Sequence, residues 1–134
     1  MKDHPVLPDV DIWQRALSRT DPDPLVVHRF GGYVCNRQLF LLGWVRQTLL
    51  ARVRDERQFT RLAWVLSSWP DLPTLPRDHE QAAIRMRALR ERGVLLTPWQ
   101  ALLWAIAERL DGQVWSRERS WQNLAVHGCP IERA

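Results

Sequence analysis

Side chains able to do chemistry gather in four short stretches of the 134-residue chain, and each stretch follows an apolar run. Asp9 and Asp11 come after Val6-Leu7-Pro8. Trp44, Arg46 and Thr48 come after Leu39-Phe40-Leu41-Leu42, and Trp99 and Gln100 after Val94-Leu95-Leu96. Ser116, Arg117, Glu118 and Arg119 come at and beyond the end of Gln113-Val114-Trp115-Ser116. These residues are carboxylates, uncharged oxygen donors, arginines and indoles. The planar arginine fork suits phosphate and carboxylate groups, so a nucleic acid or an acidic peptide is a fitting partner. His-based nucleophilic chemistry is disfavoured, because His4, His28, His79 and His127 share no local spacing. No Gly-rich phosphate loop is present, and Gly31-Gly32 reads as a turn signal only. Cys35 and Cys129 lie far apart without metal-ligand spacing and read as reduced thiols.

The elements that must position these groups alternate between short strands and helices. Helices are expected over Asp11–Arg19, Pro24–Gly31 and about Trp44–Val53, and a fourth is capped by Asp55 with Phe59, Leu62, Ala63 and Leu66 on its inner face. A further helix opens at Asp78 and stops at Gly93. Thr97-Pro98 then starts an amphipathic helix with Leu102, Leu103, Ile106 and Leu110 on one face. Leu72–Leu75 is strand-like, Arg119–Leu124 a short helix, and Pro130-Ile131 the start of a closing strand. Such alternation argues an α/β fold in one domain spanning residues 1–134, with a central parallel sheet covered by helices on both faces. The working site of such a sheet lies beyond the carboxyl ends of its strands, where the four stretches fall.

Composition sets outer limits. With 46% hydrophobic and 25% charged residues the chain is an ordinary globular one. No apolar run reaches the roughly 18 residues of a membrane span. The opening MKDHPVLPDVD carries acids where an export signal needs an apolar core, so a cytoplasmic location is expected. The formal net charge is +4 and Lys2 is the only lysine. Arginine usage of this kind also follows from a GC-rich genome, so charge alone decides little.

Four segments in register resemble PIN domains of the VapC toxin type. Leu7-Pro8-Asp9-Val10-Asp11-Ile12-Trp13 is similar to the family's opening, where the first metal-binding aspartate ends strand one. Leu41 to Leu50 is similar to the second segment, with Thr48 where the family carries a glutamate before Leu-Leu. Gly93 to Ala107 is similar to the third, with Gln100 at the aspartate position and Trp104 at a usually small one. Val114 to Trp121 is similar to the family's Thr-x-Asp-x-Asp-Phe. Ser116 keeps the hydroxyl, Glu118 keeps an acid one methylene longer, Ser120 loses the second acid, and Trp121 keeps the aromatic.

The resemblance implies a cleft in which carboxylates hold Mg²⁺ or Mn²⁺ for phosphodiester cleavage. The matched positions keep Asp9 and Glu118, with Asp11 able to add a ligand by turning inward, while Thr48 and Gln100 are neutral. The site charge falls from near −4 to about −2, which weakens its hold on a hard divalent cation. The expectation is therefore a pseudonuclease that binds a protein partner or RNA in a toxin–antitoxin-type complex. The alternative is an active Mg²⁺- or Mn²⁺-dependent endoribonuclease with a reduced ligand set. An antitoxin-like partner and a homodimer are implied by the resemblance. Arg46, Arg117 and Arg119 are candidates for phosphate or partner binding. Trp44, Trp99, Trp104 and Trp115 are read first as rings filling space left by the acids or packing a core or subunit contact, and second as stacking surfaces.

Overall fold

The computed structural model describes residues 3–132. Strand β1 (Val6–Pro8) pairs in parallel with β4 (Gln113–Trp115), and β2 (Leu41–Leu42) pairs in parallel with β3 (Asp71–Leu72). The strands thus form two two-stranded sheets, β1–β4 and β2–β3; a parallel bridge, Val6–Leu39, links them just before β2, and a second, Val114–Ile131, adds to the far side of β4. Successive strand residues face opposite sides of a sheet. Val6 and Leu7, like Val114 and Trp115, are all buried, so both faces are covered.

The helices are α1 (Val10–Leu17), α2 (Pro24–Cys35), α3 (Gly43–Ala51), α4 (Glu56–Leu66), α5 (Pro76–Glu91), α6 (Pro98–Arg109) and α7 (Arg119–Gln122), the last running into a 3-10 turn, Asn123–His127. Helix α6 packs on β1, β4 and α5, while α1 packs on α2 and α3. Local chemistry sets several starts. Asp55 accepts the Arg57 N–H at 3.1 Å, and the Asp78 carboxylate accepts the Leu75 N–H at 2.8 Å. Thr97 and Gln100 form a reciprocal capping box behind Pro98. Asp78 is further held by two arginine contacts from Arg109, at 2.8 and 3.0 Å, which lock α5 to α6.

Three expectations change. Helix α2 runs past Gly31-Gly32 to Cys35 instead of turning there, because nothing in the surroundings demands a turn and the apolar face continues through Phe30. Phe59 is exposed on α4, and Leu66 is that helix's one buried residue, since α4 packs chiefly on α3 and buries a narrower stripe than its pattern allows. Trp104 is not a subunit-facing residue: it is 1% exposed within the chain, under the Arg85 guanidinium at 4.1 Å. The closing strand reduces to the bridge at Ile131 and the Glu132 N–H donated to the Val114 carbonyl at 2.7 Å.

Candidate functional site

Asp9 stands where β1 ends and α1 begins. Its N–H donates to the Trp115 carbonyl at 2.9 Å, continuing the β1–β4 pairing, and its side chain caps α1 by accepting the Val10 N–H at 2.8 Å. The residue is 8% exposed. A buried carboxylate needs donors, and here two indoles supply them. Trp99, in the first turn of α6, donates to Asp9 Oδ1 at 3.0 Å. Trp121, in α7, donates to Asp9 Oδ2 at 2.8 Å. Three of about four acceptor positions on the carboxylate are thereby filled. Trp44 stacks on Trp99 with ring centres 4.1 Å apart, and its own ring is half exposed.

The other oxygen-bearing candidates have their polar atoms already engaged, Glu118 excepted. Asp11 accepts the Ser116 hydroxyl at 2.9 Å and the Arg117 N–H at 2.9 Å, tying α1 to the end of β4. Ser116 Oγ in turn accepts the Glu118 N–H at 3.1 Å. Thr48 donates to the Trp44 carbonyl one turn back at 2.9 Å. Gln100 Oε1 is turned to the helix start, accepting from Thr97 N–H and Thr97 Oγ1 at 3.2 Å each. The Glu118 side chain is exposed and makes no hydrogen bond among the described residues. Desolvation, then the charges of Asp11 and Asp9, push its carboxyl above the ordinary glutamate value, against the pull of Arg52 and Arg15. Glu118 therefore lies within the field of Asp11 and Asp9.

The basic and aromatic candidates divide. Arg46 is placed away from the acids: it donates to Asp71 at 2.7 Å, to the Leu66 carbonyl at 3.0 Å and to the Trp69 carbonyl, which clamps α3 to the α4–β3 connection. Arg117 pairs with Asp23. Arg119 is exposed with no carboxylate in reach among the described residues. Trp115 is buried at 4% and packs edge-on to Tyr33, 5.3 Å away, in the core. Sequence reasoning missed Trp121 as a partner of Asp9, and Arg52 and Arg15 as cations whose charge acts on Glu118. The one available signal was position: Trp99 adjoins the lost acid at Gln100, and Trp121 adjoins the lost acid at Ser120.

A hard divalent cation takes anionic oxygen ligands at about 2.0–2.1 Å and needs free lone pairs to do so. The donor set here does not fit one well. Asp9 keeps one open acceptor position, Asp11 has a donor on each oxygen, Thr48 and Gln100 are bonded locally, and Glu118 alone is free. Among the described residues no group of three or more His, Cys, Asp or Glu could hold a metal ion.

No protein-family model matches the sequence, and no curated protein matches it either. Among solved structures the chain is similar to the crystal structure of FitAcB from Neisseria gonorrhoeae, with a TM-score of 0.72 at 17% identity, covering 86% of this chain and 88% of that one. Among the described residues no helix is long and apolar enough to cross a membrane. By its likeness to FitAcB the chain has the fold of that structure, a PIN-like α/β fold.

Proposed function

We propose that this chain is a PIN-like protein of the toxin–antitoxin type that binds a protein partner without cutting RNA, in the cytoplasm. The observation that carries this reading is the double indole clamp on Asp9. In the family it resembles, the equivalent aspartate anchors the metal. Here two indole N–H donors and the Val10 N–H fill three of its about four acceptor positions, so a cation must use the one left or displace an indole, at the cost of a charge-assisted hydrogen bond worth about 1.5–3 kcal/mol. Losing the acids at Thr48 and Gln100 removes the attraction that would repay that cost. The retained cleft and its loops then serve as a binding surface, and the family resemblance supports an antitoxin-like partner and a homodimeric assembly.

The second reading is a metal-dependent endoribonuclease with few ligands. It is favoured by Glu118, a carboxylate with no hydrogen-bond partner among the described residues that feels the charges of Asp11 and Asp9. Calorimetric titration with Mn²⁺, alongside a cleavage assay on single-stranded RNA, separates the two. The proposal expects no saturable binding up to millimolar Mn²⁺ and no cleavage. Micromolar binding abolished by Asp9→Asn, with metal-dependent cleavage, would establish the enzyme instead.

A further inference from the structure

A cavity of about 520 Å³ lies between the start of α2, the end of β4 and the 3-10 turn. That volume is in the range of small-molecule sites. Leu25, Val26 and Ala125 give it aliphatic walls, and the buried Trp115 backs it. Arg29, Arg117 and Glu132 bring charge to the same walls. Glu132 Oε1 accepts from Arg29 Nη1 at 2.6 Å and from the Tyr33 hydroxyl at 2.8 Å. Its other oxygen, Oε2, is buried and has no hydrogen-bond partner among the described residues. A buried carboxylate oxygen without a donor leaves its desolvation uncompensated. The two arginines hold donors in reserve, since a guanidinium carries five N–H groups. Among the described residues the Arg29 side chain makes one hydrogen bond, to Glu132, and the Arg117 side chain makes one, to Asp23.

These groups narrow the chemistry of a guest. A wholly apolar molecule would leave Glu132 Oε2 and the spare guanidinium N–H groups unmet. An anion alone would still leave that oxygen without a donor, and a cation alone would face two arginines. Glu132 and Arg29 stand side by side as a carboxylate–guanidinium pair. The complement of such a pair is an ammonium and a carboxylate carried on one carbon. The last torsion of a glutamate is soft, so Oε2 can turn to meet the ammonium. We infer that this cavity binds a small zwitterion, an α-amino acid with an apolar side chain. Its ammonium meets Glu132, its carboxylate meets Arg29 and Arg117, and its side chain lies against Leu25, Val26 and Ala125. The inference goes beyond the partner-binding reading and does not rest on it, because Asp9, Trp99, Trp121 and Glu118 lie outside these walls.

The test is an NMR titration of the ¹⁵N-labelled full chain, without metal, with L-leucine. Saturable shifts are expected at the amides of Val26, Ala125 and Glu132. Two probes each lack one charged end: 4-methylpentanoate has no ammonium, and 3-methylbutylamine has no carboxylate. Each should bind about tenfold or more weakly than leucine, the equivalent of one lost charged hydrogen bond. Arg117→Gln should weaken leucine by about tenfold and leave the amine unaffected, while Arg87→Gln on α5 changes neither. Both arginines are exposed, so melting curves should stay close to the parent's. No saturable shift with leucine, or shifts centred away from these amides, would overturn the inference. So would binding of either single-charge probe as tight as that of leucine. Inorganic phosphate shifting the same amides where leucine does not would reassign the cavity to a simple anion. Mn²⁺ binding by the cleft, by contrast, would contradict the non-cleaving function and leave this result standing.

Discussion

A carboxylate buried without a cation beside it is tolerable only if neutral donors satisfy it, and Asp9 has three of them. This makes its substitution diagnostic. Asp9→Asn replaces one acceptor oxygen with a donor that must face an N–H group whichever way the amide turns. The expected loss is about 2–3 kcal/mol in denaturant unfolding without divalent ions. A cleft of clustered acids built for a cation behaves in the opposite way. There, neutralising one acid relieves repulsion, and the metal-free protein gains stability. The sign of the change therefore reports which kind of site this is. Asp9 itself was legible from its place after an apolar run. Its indole partners were not, because Trp99 and Trp121 come from helices whose approach to β1 only the folded chain reveals.

At the scale of elements, the helix starts were the most readable features. Asp55, Thr97 and Pro98 act through neighbours within three residues, so sequence alone contains the whole interaction. The inner face of α4 was misread because its periodic apolar stripe does not say how much of the stripe a neighbour will cover. Asp78 shows how local and tertiary roles combine. It receives the Leu75 N–H and is bridged by Arg109 from α6, with its side chain 2% exposed. Burial raises its pKa, but the Arg109 bonds and the Leu75 N–H outweigh this, and the carboxyl is held below the ordinary aspartate value. A depressed carboxyl stabilises the fold above its unfolded-state value and loses that contribution as pH falls through the folded one. Asp78→Asn should cost about 3 kcal/mol at neutral pH, because Arg109 is left without its partner. The gap between variant and parent should close as acid protonates the parent's Asp78. Urea melts at a series of pH values check this, and a gap that persists undiminished in acid would contradict it.

At the scale of the whole molecule, the first and last described segments flank β4, and one buried carboxylate ties the last of them to α2. Gly112 brings the start of β4 against Pro5, where an added Cβ would lie 2.7 Å from the Pro5 carbonyl oxygen. Glu132, 3% exposed, accepts from Arg29 at 2.6 Å and from the Tyr33 hydroxyl at 2.8 Å, so that segment is fastened to α2. None of this was visible in the sequence, since a single acid near a chain end has no pattern to reveal its partner. Burial, then the bond and charge of Glu132, raise the Tyr33 pKa to about 12. Tyr33 is the only tyrosine, so tyrosinate absorbance reads it alone. Glu132→Ala should return its titration toward 10 and lower the melting temperature, and an unchanged titration would show that Glu132 does not sit on α2. The alternation of short strands and helices was enough to read the parallel α/β architecture. The single central sheet of that reading is split into two short two-stranded sheets, because β2 and β3 contribute only two residues each.

The central claim is that indoles, not a cation, satisfy Asp9, and one spectrum tests it. In protein labelled with ¹⁵N-tryptophan, the indole N–H signals of Trp99 and Trp121 are recorded with and without millimolar Mn²⁺. Bonded to a carboxylate, both should lie downfield of the exposed Trp64 signal and broaden with Mn²⁺ no more than it does. Selective loss of those two signals on adding Mn²⁺ would place the ion at Asp9 and contradict the account.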